Sequence, residues 1–143
     1  MSKTTFEDVI RDKGVLVYTN VGDSMYPLIK KGDLLVIRAI SKPLKKYDIP
    51  LYKRDSGQYV LHRIVRVRKD DYLICGDNRY WIESGITDRH IIGELTEIVR
   101  SGKTIPVHDK PYAFYQHTLF IRRKLKRILS YIKRIISSLG ERT

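Results

Sequence analysis

A chain of 143 residues, 42% hydrophobic and 31% charged, has room for one folded domain and is too apolar to be disordered. Twenty-eight basic residues against 16 acidic ones give a net charge of +12, which points to an anionic partner: nucleic acid, an anionic membrane or an acidic peptide. The single cysteine, Cys75, excludes an internal disulfide and a multi-cysteine metal site. With no aliphatic run longer than Leu34–Ile37, and no apolar signal-peptide core between Met1 and Asp8, the expectation is a cytoplasmic protein that does not cross a membrane by itself.

In chain order, residues 1–14 read as a lead-in, with Phe6, Val9 and Ile10 marking one short helix over 5–12. Residues 15–110 read as a β domain, because short runs rich in Val, Ile, Leu and Tyr are separated by turn signals. Val15–Thr19 is the first run. Leu34–Ile40 follows the turn Lys31-Gly32-Asp33, and Tyr59–Val67 comes next, interrupted by Arg63 and Arg66. Tyr72–Cys75 precedes the turn Gly76-Asp77-Asn78, and Ile91–Val99 is the last. Many short strands predict a mainly β, antiparallel, barrel-like domain. Gly102, Pro106 and Pro111 mark a linker over 101–111.

Residues 111–143 form a basic tail. Between 111 and 140 lie seven basic residues and no acid. Leu125, Ile128, Leu129, Ile132, Ile135, Ile136 and Leu139 recur at steps of three and four, which predicts an amphipathic helix over 118–139. Pro111 suits its first turn and Gly140 the position past its end.

Four separated pieces carry candidate chemistry. Gly22-Asp23-Ser24-Met25-Tyr26-Pro27 sets a serine on bent backbone, where its hydroxyl can be exposed. A serine needs a base within hydrogen-bond reach to become a nucleophile. His62, in Leu61-His62-Arg63-Ile64-Val65, is a base of suitable pKa on a rigid strand. Gly76-Asp77-Asn78-Arg79 and Thr87-Asp88-Arg89 each offer a carboxylate, and either Asp77 or Asp88 could hold the imidazole in the working tautomer. Each piece alone is commonplace: a Gly-Asp-Ser turn, a structural histidine, a polar turn tripeptide. Their order and spacing join them.

In that order and spacing the chain resembles the serine peptidase superfamily that joins type I signal peptidases and repressor-type autoproteases. The resemblance runs through Gly22–Pro27, Gly32-Asp33, Leu61–Val65, Gly76–Arg79, Asp88-Arg89 and Gly93, about residues 15–100. It implies that Ser24 is the nucleophile. A histidine, His62, stands where common bacterial members have a lysine, so the chain is most similar to the endoplasmic-reticulum and archaeal type of signal peptidase, with a Ser-His-Asp site. There Asp88 would complete the triad and Asp77 would support it. The implied fold is antiparallel β with a small barrel-like core. Many signal peptidases have a serine two positions before the nucleophile; here it is Gly22, so the oxyanion hole would rest on backbone N–H groups, including that of Ser24.

The expected activity is therefore serine endopeptidase cleavage of a leader or precursor peptide, bound extended along a strand edge. The alternative is a non-catalytic or regulatory module that keeps the fold and binds membrane or peptide. No cofactor and no metal are expected. His90, His108 and His117 show no metal-ligand spacing with one another, and His90 reads as a surface residue. Nucleic acid is disfavoured, because no binding motif is present and the charge is concentrated on one amphipathic helix. That helix either packs its apolar stripe on the β domain or lies in the plane of an anionic membrane, with Tyr115, Phe120 and Tyr131 at the interface. The second is favoured and would place the protein peripherally on the cytoplasmic face. Cys75 is expected as a buried thiol, Arg89 as an ion-pair partner of Asp77, Met25 and Tyr26 as shaping the pocket, and Tyr80 and Trp81 in either the cleft or the core.

Overall fold

The computed structural model describes residues 3–108 and 110–140; the side chains of 110–114, 116, 117 and 120 lie outside the described residues, and with them the expectations for His117 and Phe120. Helix α1 spans Phe6–Lys13. Thr5 caps it by a reciprocal pair of bonds: its hydroxyl accepts from the Asp8 N–H, and the Asp8 carboxylate accepts from the Thr5 N–H. Gly14, at φ +72°, supplies the left-handed residue that ends the helix. The apolar face buries Ile10 and stacks Phe6 against Tyr18 and Tyr59.

Nine strands follow among the described residues. They are β1 (Val15–Thr19), β2 (Leu34–Arg38), β3 (Pro50–Lys53), β4 (Tyr59–Leu61), β5 (Arg63–Val67), β6 (Tyr72–Cys75), β7 (Glu83–Ile86), β8 (Ile91–Arg100) and β9 (Lys103–Pro106). The larger antiparallel sheet has the order β1-β2-β8-β3-β4, with β9 also paired to β8, and the smaller has the order β5-β6-β7. The fold is mainly β: the larger sheet curls as a half-barrel, and a C-terminal helix follows it. Gly93 lets β8 pass close to the end of β2, because a Cβ there would lie 2.7 Å from Arg38 O and 2.7 Å from Ile37 Cγ2, at the irregularity where β8 pairs with β3.

Three strands escape the sequence reading. β3 opens on Pro50, β7 is the nearly apolar-free Glu83-Ser84-Gly85-Ile86, and β9 lies within the expected linker with all four residues exposed. The expected single strand Tyr59–Val67 is two strands in two sheets, broken at His62. The reason is packing. Leu61 belongs to the main core with Leu35, Ile37, Leu51 and Leu95, whereas Ile64 belongs to a second core with Tyr52, Ile74 and Ile86. One straight strand cannot bury both, so the chain turns at His62.

Helix α2 runs Lys110–Gly140, starting earlier than the apolar stripe suggests. It docks as far as its middle: Tyr115 packs on the main core, Leu119 is buried, and Lys126 Nζ reaches the Asn78 side-chain and backbone oxygens. The apolar stripe lies roughly 120° round the helix from these contacts at 100° per residue. The residues of the stripe are 42–63% exposed. Packing of the stripe on the β domain, the first reading of the tail, is thus not what the fold does; the opposite face docks and the stripe points outward.

Candidate active site

Ser24 sits on a turn that is clamped from both sides. Asn20 Nδ2 donates to Gly22 O (2.8 Å) and to Lys30 O (3.1 Å). From across the cleft, the Asn78 N–H donates to Ser24 O (2.8 Å), Asn78 Nδ2 to Asp23 O (3.1 Å) and Arg79 Nη2 to Asp23 Oδ1 (2.6 Å). Met25 is buried beneath, and its Sδ accepts from the Asp77 N–H (3.5 Å). The Ser24 hydroxyl and N–H take part in no hydrogen bond among the described residues, so both remain available to a substrate.

His62 stands at the junction of β4 and β5, where the turn between the two cores locks its backbone. The ring is buried, at an edge-to-face angle to Tyr52 with centroids 6.4 Å apart. Burial lowers its pKa to about 4; the Arg54 and Arg79 guanidiniums push the same way, and the Glu83 and Asp77 carboxylates oppose them. Glu83 is itself held by the Tyr52 hydroxyl (2.7 Å) and by two bonds from Arg54 (2.8 and 2.7 Å).

Gly76 is the point where nucleophile and base meet. A Cβ built on it would lie 2.7 Å from Ser24 O, 3.0 Å from Arg79 Cγ and 3.1 Å from His62 Nε2. Only a residue without a side chain lets the two segments close on each other there. Ser24 and His62 also line one open cleft of about 540 Å³, with Tyr18 of β1 and Tyr59, Val60 and Leu61 around β4 on its walls.

A family model described as Peptidase S24-like matches residues 2–96. The chain belongs to that family. The match confirms the superfamily that the sequence motifs resemble, and the mainly β fold with a curled sheet agrees with it. A search of the curated proteins found no match. All the site elements described so far fall inside the matched span, and helix α2 lies beyond it.

The two candidate carboxylates have other partners. Asp77 forms a bidentate pair with Arg63, at 2.8 and 2.7 Å, and both side chains are 0% exposed. Tyr115 of α2 donates to the same carboxylate (3.1 Å). Asp77 therefore supports the Gly76–Arg79 turn and ties α2 to it, rather than orienting the imidazole. Asp88 lies in a short 3-10 turn, Asp88–His90, is exposed, and accepts from the Tyr72 hydroxyl (2.6 Å). Tyr72 pairs with Val67, at the opposite end of the β5–β6 ladder from Arg63 and Cys75. Three residue steps separate those ends, about 10 Å. Asp88 accordingly lines a different cleft, with Arg68, Tyr72 and Arg89, and the fold does not bring it to His62.

Several smaller expectations change with it. Arg89 pairs with Asp55 (3.0 Å), not Asp77, and His90 is buried, its Nδ1 accepting from the Thr87 N–H (3.0 Å). Trp81 lines the cleft beside Ser24, and both it and Tyr80 are exposed rather than part of the core. Met25 does line the cleft. Cys75 is the buried thiol expected, donating to Trp81 O (2.9 Å), with its pKa raised by burial. The Glu83–Tyr52–Arg54 cluster was missed because β3 and β7 carry almost no strand signal. Arg63 looked like an interruption of a strand; its place directly after His62 and one turn's reach from Gly-Asp-Asn was the available signal.

Proposed function

We propose that the protein is a serine endopeptidase of signal-peptidase type, cleaving a leader or precursor peptide through Ser24 and His62. The observation that carries this is their convergence on Gly76 inside one open cleft. β1 and β4, the end strands of the larger sheet's path, both contribute walls, which suits a peptide bound extended by main-chain hydrogen bonds.

Ser24 Oγ attacks the scissile carbonyl carbon while its proton passes to His62 Nε2. The oxyanion is received by backbone N–H groups, that of Ser24 among them. The C–N bond then breaks, and the imidazolium gives its proton to the leaving amine. Water attacks the acyl-enzyme with His62 again taking a proton, releasing the acid and restoring Ser24. The imidazolium formed in passing is offset by the Glu83 and Asp77 carboxylates, the opposing charges that already favour it. Glu83 thus stands in the role first expected of Asp88.

Labelling of purified protein with a fluorophosphonate serine probe tests the reading. Labelling lost in both Ser24→Ala and His62→Ala supports it. Labelling that persists in Ser24→Ala overturns Ser24 as the nucleophile, and a folded wild type that neither labels nor cleaves peptide libraries overturns the reading in favour of a non-catalytic module.

Helix α2 extends the proposal to location. No helix among the described residues is long and apolar enough to cross a membrane. The outward stripe, with seven basic residues and no acid between 111 and 140, suits an in-plane helix on an anionic leaflet, such as the cytoplasmic one. Each basic residue near that surface contributes about 1 kcal/mol. Full-length protein should float with anionic vesicles and lose this with Ile128→Glu/Ile132→Glu, two exposed positions. Flotation equal in the variant would refute the anchor.

A further inference from the structure

Away from the cleft, three chain segments bring acid and imidazole groups together. Asp48 precedes β3, Glu94 lies in β8, and His108 lies between β9 and α2. One ligand atom from each falls within 4.8 Å of the others. Asp48 and Glu94 are both buried, and no lysine or arginine side chain bonds to either among the described residues. The Asp48 carboxylate accepts from the Lys45 N–H (2.8 Å). The Glu94 side chain is 9% exposed, and its Oε1 has no hydrogen-bond partner, although it faces His108 Nε2 at 3.5 Å.

Two neighbouring buried carboxylates without a bonded cation are costly, since each desolvates the other's charge and repels it. Two arrangements relieve the strain: a shared proton or a bound cation. The imidazole decides between them. His108 is half exposed and turns its ring nitrogen toward the orphaned oxygen, where a shared proton would have no use for it. Ligands at 2.0–2.1 Å from a tetrahedral zinc stand about 3.4 Å apart, close to the observed His108–Glu94 spacing. A mixed imidazole and carboxylate set fits zinc or a neighbouring divalent transition metal better than magnesium or calcium, which prefer all-oxygen shells.

We propose that Asp48, Glu94 and His108 form a divalent transition-metal site that clasps the segment before β3, strand β8 and the lead-in to α2. His108 is two residues from the start of α2, so the metal would fix where the helix leaves the β domain. The site lies outside the Ser24–His62 cleft, and this inference does not rest on the peptidase reading. The three-histidine spacing considered in the sequence could not reveal it, because two ligands are carboxylates distant in the chain.

The test uses untagged full-length protein stripped with a chelator. Zinc is added under calorimetry and in thermal melts, with Glu94→Gln and His108→Ala alongside. A site filled at a hundredfold excess over Kd should raise Tm by about 5–10 °C. One-to-one binding in the wild type, weakened tenfold or more in both variants, supports the site. Absent binding in the wild type overturns it, as does undiminished binding in the variants. A metal-indifferent wild type with a more stable Glu94→Gln overturns it in favour of the shared proton. His108→Ala alters a half-exposed side chain, so its fold is preserved even if Glu94→Gln is perturbed.

Discussion

Replacing Gly76 by alanine tests the close approach of the Ser24 and His62 segments at that glycine. Gly76 does not have positive φ, so alanine is strained there only by its neighbours. Its methyl would arrive 2.7 Å from a backbone oxygen, Ser24 O, and 3.1 Å from His62 Nε2. The oxygen is fixed by the Asn78 N–H and cannot swing aside as a flexible side chain would. Relieving the clash requires a shift of roughly half an ångström or more, taken up between the Ser24 turn and the Gly76 turn. Overpacking of this kind costs about 1–3 kcal/mol of stability, which lowers Tm by about 3–10 °C. Its effect on chemistry is larger, because a misplacement near 1 Å costs on the order of 10²-fold in rate. The assay is the pseudo-first-order rate of fluorophosphonate labelling, or of peptide cleavage once a substrate is in hand, beside a circular dichroism melt. Gly22→Ala is the control, since a Cβ there meets nothing closer than Asn20 Oδ1 at 4.0 Å. A Gly76→Ala protein that labels within twofold of wild type would refute the geometry.

Two further predictions concern stability. Asp77→Ala strands the Arg63 guanidinium with no solvent exposure. Breaking a buried pair in this way costs about 3–5 kcal/mol; urea denaturation should show that loss and its partial recovery in Asp77→Ala/Arg63→Met, and a loss below about 1 kcal/mol would contradict the pairing. His62, with its folded pKa lowered to about 4 from 6.5, favours the folded state fully above pH 6.5, because the unfolded chain alone takes up a proton below that value. The His62 contribution should therefore fall by about 3 kcal/mol between pH 6.5 and pH 4, and change no further below. Acid denaturation curves of wild type and His62→Gln should diverge over that window; parallel curves would show that the imidazole is not held neutral.

What the sequence made legible follows from where the information sits. Ser24 and His62 stood out because turn residues and a histidine flanked by β-formers are local signals. The helix α1 stripe, and the strands β1, β2, β6 and β8, were readable for the same reason. The division at His62 was not, because it depends on Leu61 and Ile64 entering different cores, which is a tertiary fact. Asp88 illustrates the limit further. Its adjacency to Arg89 says nothing of which end of the β5–β6 ladder it occupies, and Tyr72 fixes it at the far end. The exposed stripe of α2 was visible as a pattern, but periodicity does not tell which face docks. That was decided by Tyr115 reaching Asp77 and Lys126 reaching Asn78 from the other side.

The burial that positions His62 also makes it a reluctant base. At pH 7 the ring is neutral and ready to accept the Ser24 proton, yet the low pKa of about 4 means that the imidazolium is disfavoured when it forms. Nearby charge must make up part of that deficit, and of the two carboxylates that favour protonation, Asp77 is spent in a bidentate pair with Arg63. Glu83 bonds to Arg54 and Tyr52, but it sits on β7 beside the ring's own aromatic neighbour, Tyr52. Glu83→Gln retains a side-chain carbonyl for those donors and removes only the charge. The acid limb of the kcat/KM profile should then move below pH 4, because losing an opposing anion lowers the His62 pKa further. The pH-independent rate should fall roughly 10- to 100-fold, a part of the about 10²–10⁴-fold that general acid–base catalysis contributes in full. A structural role for Glu83 alone would lower stability without moving the acid limb. An unmoved limb would therefore return the question of which group steadies the imidazolium to the substrate or to the backbone.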